Sequence, residues 1–279
     1  MPSTAPSFVL KPFPGPARHI GCARLHDCTH KGGGVLSCCQ GTPEPPRPAG
    51  NGVVLVVGCA SQKGGVAKSS LARLLAREFA DRGRRVLLTD LDLLQATSLE
   101  WARRRAESGL LPEVPVERCE SVKHAMKLAR QAGADCLVLD ARGFADAQTL
   151  ELARAADALL IPSGLAVDDL LPAVRLAHEL TRAGVPRTRI GLALCRVGDA
   201  EGEISEAARY IAGAGYHCLS TAWPERAGYR RAHDEGRVAT EARHPSLRAK
   251  ARAFAADALA FIAAQADLEK EMKHARHRT

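Results

Sequence analysis

The chain is poor in aromatic residues: Phe, Trp and Tyr make up 4% of its 279 positions, although 46% are hydrophobic. Core volume must therefore come from Leu, Val, Ala and Ile. Rings are also too few to interleave with basic residues, which argues against single-strand nucleic acid binding by base stacking. No uninterrupted apolar run reaches the ~20 residues that cross a bilayer. The N-terminus lacks the basic-then-apolar layout of a secretory signal. A soluble, cytoplasmic protein is expected. The nine cysteines include no C-x₂-C pairs. Cys59, Cys136 and Cys195 lie in apolar, strand-like runs and read as small buried hydrophobes rather than disulfide halves. No internal repeat is apparent.

Net charge is +8, unevenly placed. Residues 1–50 carry 5 basic and 2 acidic side chains, residues 51–225 balance at 22 and 22, and residues 226–279 carry 12 and 7. The excess toward the C-terminal end suits an anionic surface such as nucleic acid; a solvated helix face with a basic tail is the simpler reading. Residues 1–50 hold 9 of the 16 prolines and little hydrophobic periodicity, so a disordered extension is expected there. Cys22, His26, Cys28, His30, Cys38 and Cys39 leave metal binding open, and an over-long start-site assignment is the competing reading of this segment. A single domain is expected over 51–268 and a basic tail over 269–279.

From Val53 onward, apolar runs alternate with amphipathic ones. Strands are expected at 53–59, 85–90, 114–119, 136–140, 157–161 and 189–194. Helices are expected at 69–82, 121–132, 146–155, 168–183, 203–212, 226–235 and 246–272. That order implies an α/β fold, a mostly parallel sheet covered by helices on both faces, with ligands at the carboxyl ends of the strands.

Residues 61–70 read S-Q-K-G-G-V-A-K-S-S, directly after the first strand. Backbone amides of a Gly-rich turn can point together at an anion, and the helix that follows adds the positive end of its dipole. Gly64, Gly65, Val66, Ala67, Lys68, Ser69 and Ser70 are the candidate nucleotide contacts. Lys68 is suited to the β- and γ-phosphates and the Ser69 hydroxyl to Mg²⁺. The common G-x-x-x-x-G-K-[ST] pattern is not met, since Ala67 replaces the last Gly. Asp90 and Asp92 are spaced i, i+2 at the end of the second strand, where they can hold Mg²⁺ through water or orient an attacking water. The run Cys136-Leu137-Val138-Leu139-Asp140 is a Walker B strand whose carboxylate suits a Mg²⁺-bound water. Arg142 reads as a phosphate sensor or a plain loop arginine.

The extra Lys63 resembles the signature lysine of the deviant-Walker P-loop ATPases, the superfamily of ParA, MinD and the nitrogenase iron protein. The segments Asp90–Trp101, Ala156–Ser163 and Trp223–Arg237 resemble that family too, and the likeness covers about 53–262. Lacking a helix-turn-helix ahead of the loop, the chain is similar to the short, ParA-type partition ATPases. The resemblance implies ATP and Mg²⁺ as ligands, slow hydrolysis, and a homodimer formed around ATP. It implies Asp92 as hydrolytic residue beside Lys68 and Lys63, with Asp90 in support. Lys63 would cross to the second subunit, and Pro224 would contact adenine. Three departures stand out: Leu94 where the family has Gln, Ala141-Arg142-Gly143 after Asp140, and Cys195 near a usual Asn or Asp. A ParB-like centromere-binding partner and nucleoid association in a bacterium are implied. So is non-specific duplex DNA binding, for which Arg230, Arg231, Arg248 and Lys250 are the candidates, far along the chain from the loop. The alternative is a MinD-like ATPase that positions a division, conjugation or secretion complex. The apolar set Leu247, Ala251, Phe254, Ala258, Phe261 and Ile262 is Ala-rich for a membrane anchor, so packing on the sheet is expected and a membrane partner is not.

Overall fold

The computed structural model describes residues 54–276 apart from 94, 96 and 144–146, all within the second of two units of the chain, Arg47–Thr279. The expectations for 1–50, including the Cys/His cluster, lie outside the described residues, as do residues 277–279.

Among the described residues there are eight strands: β1 (Leu55–Cys59), β2 (Val86–Asp90), β3 (Val116–Arg118), β4 (Cys136–Asp140), β5 (Ala158–Ser163), β6 (Ile190–Val197), β7 (His217–Cys218) and β8 (Trp223–Pro224). Seven run in the order β3-β2-β4-β1-β5-β6-β7, with β8 pairing to β6, and all pairings are parallel. The helices are α1 (Lys68–Asp81), α2 (Thr97–Glu107), α3 (Val122–Gln131), α4 (Ala147–Ala155), α5 (Val167–Arg182), α6 (Glu201–Gly213), α7 (Ala227–Asp234) and α8 (Pro245–Arg276). The backbone of α8 runs unbroken through residue 268 into the segment expected as a tail.

Both sheet faces are covered, which is why the central strands read as continuous apolar runs rather than alternating ones. Successive side chains nevertheless go to opposite faces. Val57 and Val138, register partners on β1 and β4, pack with Leu71, Leu75 and Phe254 on one side. Val56, Leu137 and Leu139 pack with Ala125, Leu152 and Leu176 on the other. The apolar side of α8 belongs to the first cluster: Ala251, Phe254, Ala258, Phe261 and Ile262 are all buried. Packing on the sheet, rather than a free membrane-facing stripe, is what the structure has. Among the described residues no helix is long and apolar enough to cross a membrane. Cys59, Cys136 and Cys195 are free and buried, as expected.

Strands β1 to β6 and seven of the helices fall on the expected segments, β3 as three residues of the expected 114–119. Helix α2 does not: hydrophobic periodicity predicts no helix over 97–107. Its buried stripe is Ser98, Trp101 and Arg105, a hydroxyl, an indole and a guanidinium at helical spacing. Such a stripe carries no hydrophobic periodicity. It is stable because each polar group finds a partner. Trp101 Nε1 donates to the Arg237 carbonyl (3.0 Å). Arg105 grips Glu241 through two nitrogens (2.8 and 3.0 Å) and also donates to the Gly236 and Pro112 carbonyls. Gly236 lies so near that a Cβ there would stand 2.3 Å from the Arg105 backbone nitrogen, and its φ of +75° also favours glycine. β7 and β8, at two residues each, are too short for any local pattern.

Candidate functional site

The site is built at the carboxyl ends of β1, β4 and β2. Register places Cys59 opposite Asp140 and Asp140 opposite Asp90 across these neighbouring strands. The two acids therefore meet although fifty residues separate them in sequence. Residues 61–67 then turn back over the strand ends into α1. Ser61 Oγ accepts from the Lys63 amide (3.1 Å) and donates to the Lys63 carbonyl (3.0 Å), bracing the turn. Gly65 takes φ +82°, and Ala67, just before the helix, takes φ +72° and ψ 19°. The missing glycine of the common pattern is thus replaced by an alanine forced into the left-handed region, at a cost of about 1–2 kcal/mol.

Lys68 Nζ donates to Asp140 Oδ1 at 2.6 Å and stands 3.4 Å from Ser69 Oγ. Asp140 is fully buried in this pair and Lys68 largely so, with side-chain exposures of 0% and 11%. Asp140 Oδ2 accepts from Ser98 Oγ (2.9 Å). Asp90 takes two backbone amides, from Asp92 on Oδ1 and from Ser98 on Oδ2, both at 3.0 Å. Burial and then the neighbouring Asp140 charge push the Asp90 carboxyl above its ordinary range, while those amides and Lys68 oppose the shift. Arg73, one turn along α1 from Ser69, is buried and donates through Nε to Ser98 Oγ (3.1 Å). Burial lowers its pKa to about 10, against the attraction of Asp140 and Asp90.

A cleft of about 750 Å³ opens over these groups. Of the residues expected to contact nucleotide or act on it, Lys63, Gly64, Gly65, Ala67, Lys68, Ser69, Ser70, Asp92 and Pro224 line it. Val66 is buried and faces a second cavity, while Asp90 and Asp140 lie beneath the cleft floor, at 1% and 0% exposure. Ser69, Asp90 and Asp140 form an all-oxygen donor set, the chemistry Mg²⁺ prefers, and they leave further positions to phosphate and water. The residues present thus fit that ion.

Two expectations about position need correcting. Arg230 and Arg231 line the same cleft as Lys68, so distance along the chain does not mean distance in space. Arg248 and Lys250 are not on that wall. Arg248 turns back to the Ala242 and Arg243 carbonyls (3.1 and 2.8 Å), and Lys250 is exposed on α8. The four basic residues are thus not one patch remote from the loop. Arg142 donates to the Leu91 carbonyl (3.1 Å), bracing the turn after β2.

Sequence reasoning misses Arg73, Ser98, Arg196 and His233. Arg196, at φ +58°, donates to the Gly65 carbonyl and to Glu225 Oε2 (2.8 Å), joining the phosphate loop to the β8 end of the cleft. The one signal for it is the departure at Cys195 beside it. His233 on α7 lines the cleft, and both its ring nitrogens are buried without a hydrogen-bond partner among the described residues. Burial, then Arg73 and Arg104, lower its pKa to about 4, so the ring is neutral.

The model of the CobQ/CobB/MinD/ParA nucleotide binding domain matches residues 57–272. No curated protein sequence matches the chain. Solved structures with the same fold include MinD from Pyrococcus horikoshii OT3 complexed with Mg-ADP, at 18% identity and a TM-score of 0.57, covering 74% of this chain and 95% of that one. The MinC:MinD cell division complex of Aquifex aeolicus gives 15% identity and 0.58, covering 74% and 96%. A ParA family ATPase from Chlorobium tepidum TLS gives 16% and 0.53, covering 74% and 99%.

Proposed function

The chain belongs to the CobQ/CobB/MinD/ParA nucleotide-binding family, and from that premise we propose that it is an ATP-dependent dimerising switch that partitions plasmid or chromosome DNA. The observation that carries the reading is the constellation at one cleft: Lys68 paired with the Walker B Asp140 at 2.6 Å, with Ser69, Asp92 and Lys63 on the same wall. Lys68 and the loop amides bind the phosphates, and Asp92 orients the attacking water. Ser69, Asp90 and Asp140 would hold Mg²⁺, which neutralises phosphate charge when bound. Lys63 reaches the nucleotide of a second subunit, so ATP favours the homodimer through contacts that exist only there. Hydrolysis removes those contacts. A switch of this kind turns over slowly until a partner, here a ParB-like centromere-binding protein, accelerates it.

The dimer binds duplex DNA without sequence preference. Phosphate contacts doubled on one face raise affinity and make it steeply salt-dependent. Lys250 and Arg252, exposed on α8 and outside the cleft, are the side chains to test, because Arg230 and Arg231 cannot be changed without altering the nucleotide wall. Gel shift with ATP, ADP and no nucleotide tests the reading. Asp92→Ala, which should trap the ATP-bound dimer, is expected to shift DNA most. Lys250→Glu with Arg252→Glu should abolish the shift and leave dimerisation intact. The competing function is MinD-like positioning of a division, conjugation or secretion complex. The burial of the α8 apolar set through Ile262 weighs against that helix as a membrane anchor. Wild-type protein that ignores DNA at low salt with ATP but pellets with anionic liposomes would establish the competitor instead.

A further inference from the structure

We infer that Arg73 and Ser98, both outside the phosphate loop, position the acid pair Asp90–Asp140 for the Mg²⁺–nucleotide complex. The inference rests on the ATPase reading above. Donor chemistry sets the direction of every bond. An arginine Nε–H can only donate. The 3.1 Å bond from Arg73 Nε therefore occupies an acceptor position on Ser98 Oγ and leaves the single hydroxyl proton for Asp140 Oδ2, 2.9 Å away. The backbone amide of Ser98 donates at the same time to Asp90 Oδ2 at 3.0 Å. One residue thus holds an oxygen of each acid. The other two oxygens are held by Lys68 Nζ and the Asp92 amide. Rotation of either carboxylate breaks a bond at both of its oxygens.

Burial makes the arrangement matter. Ser98 is fully buried, so water does not stand ready to replace it, and Arg73, 7% exposed, reaches it from the edge of the cleft. The rest of the buried face of α1 is dominated by Leu71, Leu74, Leu75 and Phe79. An apolar side chain at position 73 would pack there at lower desolvation cost than a guanidinium. What Arg73 supplies instead is a fixed donor aimed at Ser98 and a positive charge beside two neighbouring carboxylates. Ser98 touches both acids and Arg73 acts on them through Ser98, so the two are positioning residues. Ser98 also opens the first turn of α2, so the relay ties the Asp90–Asp92 turn to the helix that carries Lys68.

The test is a Mg²⁺ titration of N-methylanthraniloyl-ATP fluorescence, run beside nucleotide affinity in EDTA and thermal melting of the nucleotide-free protein. Groups that orient metal ligands are typically worth ~10–100-fold in metal affinity. Ser98→Ala is expected to raise the Mg²⁺ midpoint about tenfold or more while leaving the EDTA affinity near wild type. Ser98→Thr keeps the hydroxyl and the amide and should restore the midpoint to within about threefold. Arg73→Met should move the midpoint in the same direction as Ser98→Ala, and Arg73→Lys should recover part of it. A merely structural role would lower the melting temperature without moving the midpoint. If Ser98→Ala folds and titrates like wild type, the inference is overturned. If wild type itself binds the nucleotide with no dependence on Mg²⁺, the ATPase reading fails, and the inference with it.

Discussion

Lys63 Nζ donates to Asp169 Oδ1 across 3.0 Å, tying the phosphate loop to the third residue of α5. Both side chains are partly exposed, at 42% and 29%. An ion pair in that setting is worth under ~1 kcal/mol, because water solvates both partners well. The lysine is therefore held lightly and can exchange one carboxylate for another anion. Lys63→Ala should weaken ATP-dependent dimerisation, measured by sedimentation, more than ATP binding, measured by titration calorimetry. An equal loss of both would mean that Lys63 acts within its own subunit.

Lys68 is in the opposite situation. Its partner Asp140 is fully buried, and removing Lys68 leaves that charge uncompensated at a cost of about 3–5 kcal/mol. Lys68→Ala should abolish ATP binding by calorimetry and lower stability to urea. Lys68→Ala with Asp140→Asn should recover much of the stability without recovering binding. Near-normal ATP affinity in Lys68→Ala would show the site to be misplaced.

Ala67 offers a gain. At φ +72° an alanine is strained where glycine is not. The relief is offset in part by the greater freedom of an unfolded glycine. Ala67→Gly should stabilise the protein by about 0.5–1 kcal/mol and leave ATP affinity unchanged or better. Urea unfolding at a lower midpoint than wild type would contradict the backbone conformation described for the loop.

His233 sets an acid limit. Its folded pKa, about 4, lies below the ordinary 6.5, so the unfolded chain takes up the proton first as pH falls. Stability from the neutral ring is complete above about pH 6.5 and is lost as pH drops toward 4. Between pH 7 and 4.5, wild type should lose on the order of 2 kcal/mol more stability than His233→Gln. Parallel pH profiles for the two proteins would remove this residue from the acid transition.

Much of the site is legible in the order of residues alone. Gly64, Gly65, Lys68 and Ser69 identify a phosphate loop because amides, a cation and a hydroxyl must follow one another within a single turn. Asp90 and Asp140 identify themselves by ending apolar runs, since a parallel strand buried on both faces places its carboxylates at its ends and ligands gather at the carboxyl end. Both signals are local. Helix α2 shows where local reading stops: Ser98, Trp101 and Arg105 are buried by virtue of Asp140, Arg237 and Glu241, partners 42 to 136 residues away. Arg196 reaching Gly65, and Arg230 with Arg231 on the nucleotide cleft, are of the same kind. The amino-acid sequence determined by itself the α/β alternation, the phosphate loop and the acids that follow it, because periodicity and spacing record which face of an element is apolar. Only the tertiary structure decided that Asp90 and Asp140 stand in register, and which polar groups are buried with them. A polar side chain is stable in the interior only beside its partner, and that partner is chosen by the fold rather than by the neighbouring residues.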